Sequence, residues 1–396
     1  MAFLTQKTRI ARYAALQALQ REQGLDALAL LGEDFIEFYS NFHVDVRAWE
    51  RPIIAVLPAS GAPFAVFNEL STTHLQIARE RASLWIEDVE LYAEHPRIDG
   101  RLPLLPQWAE YVADRLRRAG LARARIGVDV AGGWVAKLGA LLPEARFVPV
   151  TRELRALRWV KTSEELDILR RAASLADWIQ ERYRERLRPG VLTQVLDFEL
   201  AAEGAAEAAR RFPGEDLGLF TWTLSGARSA SPHGDGASLG AKINPGDTII
   251  NIVIPRLNGL VVENERTWFA GQPSAEQARF FEVARAANGA AVAAAVVGRP
   301  VSGIDAAAQR VIEAAGLGAY VHHRTGHGIG LAGHEFPDDM AFNHRPLLAG
   351  EVYSAEPGLY AYGLGGFRID DTVVVGEQPE VLTQTPRTLA HATLEV

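Results

Sequence analysis

The sequence predicts two domains of different build, a smaller α/β domain over residues 1–157 and a larger α+β domain over residues 158–396. Three observations predict this. Short buried-strand patterns alternate with helical ones through the first part. A well-marked helix start breaks that rhythm just after Arg158. Beyond it, alanine-rich helices alternate with strands that read as antiparallel and helix-flanked.

The opening stretch, "MAFLTQKTRIARYAALQALQ", reads as an amphipathic helix, because its apolar core is too short for a signal peptide. "LDALALLG" and "RPIIAVLPASGAPFAVF" read as buried strands, the second stretch turning at Ala59–Ala62. "ARIGVDVAGG" and "ARFVPV" are further strands, and "PQWAEYVADRLRRAGLA" before them is a helix ending at Gly120. In "KTSEELDILRRAASLADWIQERYRERLRPG", Thr162 or Ser163 can cap a helix whose Glu164 and Glu165 suit its positive end. That helix stops near Pro189-Gly190. Strands follow in "DTIINIVIP", "LVVENERTWFAG", "EVYSAEPGLYAY" and "FRIDDTVVVG", between the helices "VLDFELAAEGAAEAARRF" and "AEQARFFEVARAANGAAVAAAVVG".

Composition narrows the function. A net charge of −8 argues against a nucleic-acid partner, which needs a basic surface. The absence of cysteine excludes disulfides, thiolate metal sites and cysteine nucleophiles. No apolar run reaches membrane-spanning length, so a soluble cytoplasmic protein with no membrane partner is expected.

Four segments of the second domain gather polar groups beside glycine and proline. They are "SGARSASPHGDG" with His233, "VENERT" with Glu263 and Glu265, and "VHHRTGHGIGLAGHEFPDD" with His322, His323, His327 and His334. The fourth combines "SAEPGLY" and "GGFRIDD", with Glu356, Asp370 and Asp371. Singly, each has an ordinary reading: a histidine in a glycine-rich loop is a turn residue, and Asp371 near Arg368 is a surface ion pair of little worth. Glu263 and Glu265, two apart, point to one face if they lie on a strand, and like charges side by side need a cation between them. Together the histidines and carboxylates fit either a metal site or a proton-transfer site for a cationic substrate.

"WVKTSEELDILRRAA", "RTGHGIGLAGHEFP", "EPGLY" and "FRIDD" resemble the creatinase/prolidase/aminopeptidase family, whose fold is known as pita-bread. The resemblance implies a creatinase-like N-terminal domain and a pita-bread catalytic domain. It also implies where metal ligands would fall. The family's metallopeptidases share five, two of them aspartates on neighbouring strands. Counted back from "ERT", the second aspartate falls at Glu263 and the first at Ile252, which cannot ligate. The ligand histidine matches His327, the first glutamate Glu356 and the last glutamate Asp370. A second metal is thereby in doubt, and a single divalent metal (Mn, Fe or Zn) on Glu263, His327, Glu356 and Asp370 is one expectation.

The other expectation follows the metal-free branch of the family, which includes creatinase and ectoine hydrolase and is similar in "NIVIPRLNGL…ERT". The resemblance then implies His233 as proton carrier, with Glu265 and Glu356 holding a substrate cation. It adds Glu263, His327 and His334 as substrate-binding groups. It also adds Arg47, Trp49 and Arg51 of "NFHVDVRAWERP", which share a face if that stretch is a strand, while Met340 stands where creatinase has a second arginine. The favoured expectation is a homodimer that shares its sites between subunits. It would cleave a non-peptide C–N bond of a small zwitterionic amidine or cyclic amidine without any cofactor. A one-metal Xaa-Pro dipeptidase or aminopeptidase and a catalytically silent small-molecule-binding protein on the same fold are the alternatives.

Overall fold

The computed structural model describes residues 4–44, 46–94, 105–236, 239–335 and 340–395. Two compact units divide the chain, Met1–Arg158 and Trp159–Val396.

The N-terminal unit is built on six strands: β1 (Ala27–Leu30), β2 (Ile54–Pro58), β3 (Phe64–Asn68), β4 (Asp88–Tyr92), β5 (Arg125–Val128) and β6 (Arg146–Pro149). They form one mixed sheet in the order β4-β3-β2-β1-β5-β6. The β1–β2 and β2–β3 pairs are antiparallel, and the others are parallel. The unbroken apolar runs of β1 and β2 fit burial on both faces. A helix, Trp108–Arg118, packs Val112, Ala113 and Leu116 on that core. Its end is closed by Gly120, whose positive φ lets the Leu121 amide turn back to the Leu116 carbonyl.

The first long helix of the C-terminal unit is Ser163–Arg186. Its cap is Thr162, whose hydroxyl accepts from the Glu165 amide at 3.3 Å while the Glu165 carboxylate accepts from the Thr162 amide at 2.7 Å. Its strands are β7 (Leu217–Ser225), β8 (Thr248–Leu257), β9 (Leu260–Val261), β10 (Asn264–Phe269), β11 (Val352–Ala355), β12 (Gly358–Ala361), β13 (Gly365–Arg368), β14 (Asp370–Val374) and β15 (Glu380–Val381). The main order is β11-β14-β10-β8-β7, all antiparallel, while β12 and β13 pair as a separate hairpin.

Strand alternation gives this sheet two characters. Ile249, Val253 and Trp268 pack with Leu175, Ala176 and Ile179 of the capped helix. From that helix Gln180 donates to the backbone carbonyls of Asn251 and Asn264. The opposite residues of β8, Ile250 and Ile252, cluster with Leu224 and Tyr360 instead. On this second face, Trp222, Ile252, Glu265 and Asp370 stand directly opposite one another across β7, β8, β10 and β14. One row thus passes from apolar to acidic within four strands.

Candidate active site

A cavity of about 210 Å³ opens over that row, lined on one side by Phe220, Trp222, Ile252 and Ile254 and on the other by Glu263, Glu265, His327, Glu356 and Arg368. His233, His323, Arg324 and His334 also line it. Both glutamates of "VENERT" therefore face one space. Glu263 does so from the break between β9 and β10, where its amide donates to the Thr372 hydroxyl at 3.1 Å. Arg266 points to the other face, where it pairs with Asp371 at 2.8 Å and donates to the Thr385 carbonyl.

His327 is held by its backbone. A side chain on Gly326 would lie 1.9 Å from the Ser354 carbonyl oxygen, so only glycine lets this loop lie against β11. The His327 carbonyl then accepts from the Ser354 amide at 2.9 Å. The Nδ1 of His327 is 3.0 Å from the Gly328 carbonyl. A carbonyl can only accept, so Nδ1 carries the proton and Nε2 presents a lone pair. That lone pair faces oxygens of Glu263 at 3.4 Å and of Glu356 at 3.5 Å. Burial, aided by neighbouring histidine and arginine charge, lowers the His327 pKa to about 3. The His327 lone pair thus meets two buried carboxyl groups, an arrangement that a shared proton or a cation stabilises.

The carboxylates give the same reading. Burial, then repulsion by Asp370, raises both Glu263 and Glu356 well above the usual carboxylate range. Burial and the neighbouring Glu265 push Asp370 up to about 8. Ser354 donates to one Asp370 oxygen at 2.8 Å, and the other oxygen, buried, has no hydrogen-bond partner among the described residues.

Potential ligand atoms fall into two groups, each within 4.8 Å: Glu263, His327 and His334, and Glu265, Glu356 and Asp370. The four ligands expected together are thus divided, Glu263 and His327 going with His334, and Glu356 and Asp370 with Glu265. Metal–nitrogen and metal–oxygen bonds of about 2.1 Å put neighbouring tetrahedral ligands about 3.4 Å apart. The spacings around His327 Nε2 match this, so the residues fit one divalent cation. Ile252, opposite Glu265, supplies no carboxylate for a second.

Several expectations change here. Glu265 is already engaged, by the guanidinium of Arg368 through Nε and through Nη2 at 3.1 Å. Asp371 is no surface group: it is fully buried between Arg266 and Arg387, and Arg368 turns away from it. His233 is exposed on a turn at the cavity rim. Arg47, Trp49 and Arg51, in the N-terminal unit, lie on a turn closed by the Glu50 and Arg51 amides on the Arg47 carbonyl, so strand alternation does not align them. Arg51 is paired with Glu94 and Glu50, and Trp49 is 81% exposed. Residues 336–339, the end of the histidine-rich segment, lie outside the described residues.

Sequence reasoning missed the partners of this site. Arg368 and Asp370 are two apart and share a face, a signal that was present in "FRIDD". Tyr360 and His323 carried no such signal. His323 Nε2 accepts from the Tyr360 hydroxyl at 2.7 Å, and that hydroxyl accepts from Arg368 Nη1 at 3.1 Å.

Comparison with known proteins identifies the class. Residues 167–377 match the model of metallopeptidase family M24, and residues 12–160 match the creatinase/prolidase N-terminal domain. The chain belongs to this family of hydrolases and has its two-domain pita-bread fold. It is 32% identical over 345 residues to a probable dipeptidase PepE of Mycobacterium tuberculosis, covering 85% of this chain and 84% of that protein. It is 33% identical over 245 residues to an Xaa-Pro dipeptidase of Pyrococcus furiosus, covering 61% and 68%. The crystal structure of dipeptidase PepE from Mycobacterium ulcerans superposes with a TM-score of 0.82 at 30% identity, covering 99% of this chain and 100% of that one. These relatives overturn the expected metal-free amidine hydrolase. That expectation had rested on the stretch "NIVIPRLNGL…ERT", where Ile252 replaces an aspartate, and on the presence of His233, Glu265 and Glu356.

Proposed function

We propose that this chain is a metal-dependent dipeptidase holding one divalent cation. The observation that carries the reading is the unprotonated Nε2 of His327, aimed at oxygens of Glu263 and Glu356. Glu263, His327 and His334 would hold the ion. When bound, the cation supplies Lewis-acid polarisation of the scissile carbonyl.

The remaining steps fall to the chain's own groups. Glu356 is half-buried and keeps a high proton affinity, so it can take a proton from attacking water and return it to the leaving amine. Trp222, Ile252 and Ile254 give an apolar wall that packs a nonpolar substrate side chain and excludes water. Arg324, at the rim, offers a guanidinium fork to the carboxylate of a short peptide.

The test is removal and return of metal with Xaa-Pro dipeptides as substrates. Chelation should abolish hydrolysis, and one equivalent of manganese, iron or zinc should restore it. Full activity in protein free of metal would sink the reading. Binding of dipeptides without turnover would mark the chain as a silent binding protein.

A further inference from the structure

We infer that Asp305, on a helix outside the sheet, is a positioning residue for His327 and Glu356. Its carboxylate clamps one end of the loop that carries the histidine. The inference rests on the dipeptidase reading and deepens it.

Three observations carry it. First, the histidine loop is laid on β11 in a fixed antiparallel register. The Glu356 amide donates to the Thr325 carbonyl at 2.7 Å, the Ser354 amide to the His327 carbonyl at 2.9 Å, and the Ile329 amide to the Val352 carbonyl at 3.0 Å. Thr325 thus stands opposite Glu356. The 3.5 Å spacing between His327 Nε2 and the Glu356 carboxylate depends on where Thr325 is held. Second, the loop has little means of holding this register from within. Glycine stands on each side of His327, at Gly326 and Gly328, and glycine leaves the backbone freer than any other residue. The fixing has to come from the two ends. Ile329 supplies it at one end, where its side chain is fully buried. Third, Asp305 supplies it at the other. Its Oδ1 accepts from the Thr325 amide at 2.9 Å. The Thr325 hydroxyl is buried and has no hydrogen-bond partner among the described residues, so it offers no second anchor.

The mount of this clamp is a packed element. Asp305 lies in the first turn of the helix Ser302–Ala314, whose Ile304, Ala308 and Ile312 are buried in the core. Asp305 is not among the residues that line the cavity. It acts through the backbone of Thr325, which it joins to the metal ligand on one side and to the proton carrier on the other.

Two substitutions separate positioning from support of the fold. Asp305→Ala removes the acceptor, and Asp305→Asn keeps an oxygen in its place. Protein stripped of metal is titrated with Mn²⁺ alone by calorimetry, and turnover is measured on an Xaa-Pro dipeptide. Asp305→Ala should bind Mn²⁺ more weakly and lose kcat, each on the order of 10-fold, with KM little changed. Asp305→Asn should behave as wild type. Unchanged Mn²⁺ affinity and kcat in Asp305→Ala, whatever its melting temperature, overturns the proposal, and so does an equal loss in Asp305→Asn. Asp305→Ser, too short to reach the amide, stands in if Asp305→Ala does not fold, and should show the same losses. A wild type that neither binds Mn²⁺ nor cleaves dipeptides refutes the dipeptidase reading and not the clamp. The clamp is then judged on metal-free protein by the ¹⁵N resonances of the His327 ring, assigned by their loss in His327→Gln. Wild type should show a single tautomer with the proton on Nδ1, and Asp305→Ala should shift or broaden it. Identical ring resonances in both proteins end the proposal.

Discussion

The central strands β1 and β2 of the N-terminal sheet and β10 of the C-terminal sheet are all buried, but they are filled differently. In the N-terminal sheet, β1 and β2 are buried with Ala, Leu, Ile and Val. In the C-terminal unit, β10 is buried along its whole length, yet four of its six residues are Asn, Glu, Arg and Thr. Hydrocarbon inside a sheet needs no partner. Each buried polar group does, and each of these has been given one or faces the cavity. A sheet that keeps so many charges out of water is organised around what those charges hold, whereas the N-terminal sheet is organised around its own packing.

The difference predicts a graded set of substitution effects. His327→Ala should be the most damaging to function, lowering dipeptide turnover by on the order of 10²–10⁴-fold and abolishing stoichiometric Mn²⁺ binding. Binding of unchanged tightness would remove His327 from the site. Arg266→Ala strikes the same sheet on its other face. Breaking its buried pair with Asp371 should cost about 3–5 kcal/mol in denaturant unfolding while leaving the metal count unchanged. An altered metal count would mean that the two faces are not independent.

Leu116→Ala, in the N-terminal core, should cost about 2–5 kcal/mol through the cavity it leaves. Manganese binding per folded chain should not move. If it did, the contrast between a packing sheet and a charge-holding sheet would not hold.

The smallest effect is a pH dependence. Burial lowers the His323 pKa from 6.5 to about 4, so the unfolded chain binds the proton more tightly. The associated stability is fully present above pH 6.5 and is lost as pH falls toward 4, up to about 3 kcal/mol in all. His323→Gln should therefore lose less melting temperature than wild type between pH 7 and pH 5. An equal loss in both would place the titration elsewhere.

The sequence was most readable where one residue decides its own fate. Apolar runs marked β1 and β2, Gly120 marked a helix end, and the threonine-to-glutamate spacing marked the cap at Thr162. Glu263, Glu265, His327, Glu356 and Asp370 were also legible as chemistry, and four of these five line one cavity. What the sequence did not give was who pairs with whom. Whether Asp371 met Arg368 or Arg266 depended on which face of the sheet each occupied, and the answer reversed the expectation. The division of the ligands into two groups depended on distances across four strands. The turn at Arg47–Arg51 was missed because alternating side chains mimic a strand whether or not the backbone pairs.

The central claim is that the acidic half of the C-terminal sheet holds one exchangeable cation beside His327. Anomalous scattering from crystals soaked in Mn²⁺, collected at the manganese edge, tests it directly. The account predicts one peak, in bonding contact with His327 Nε2 and a Glu263 oxygen. No peak there, or a second one against Asp370, would contradict it.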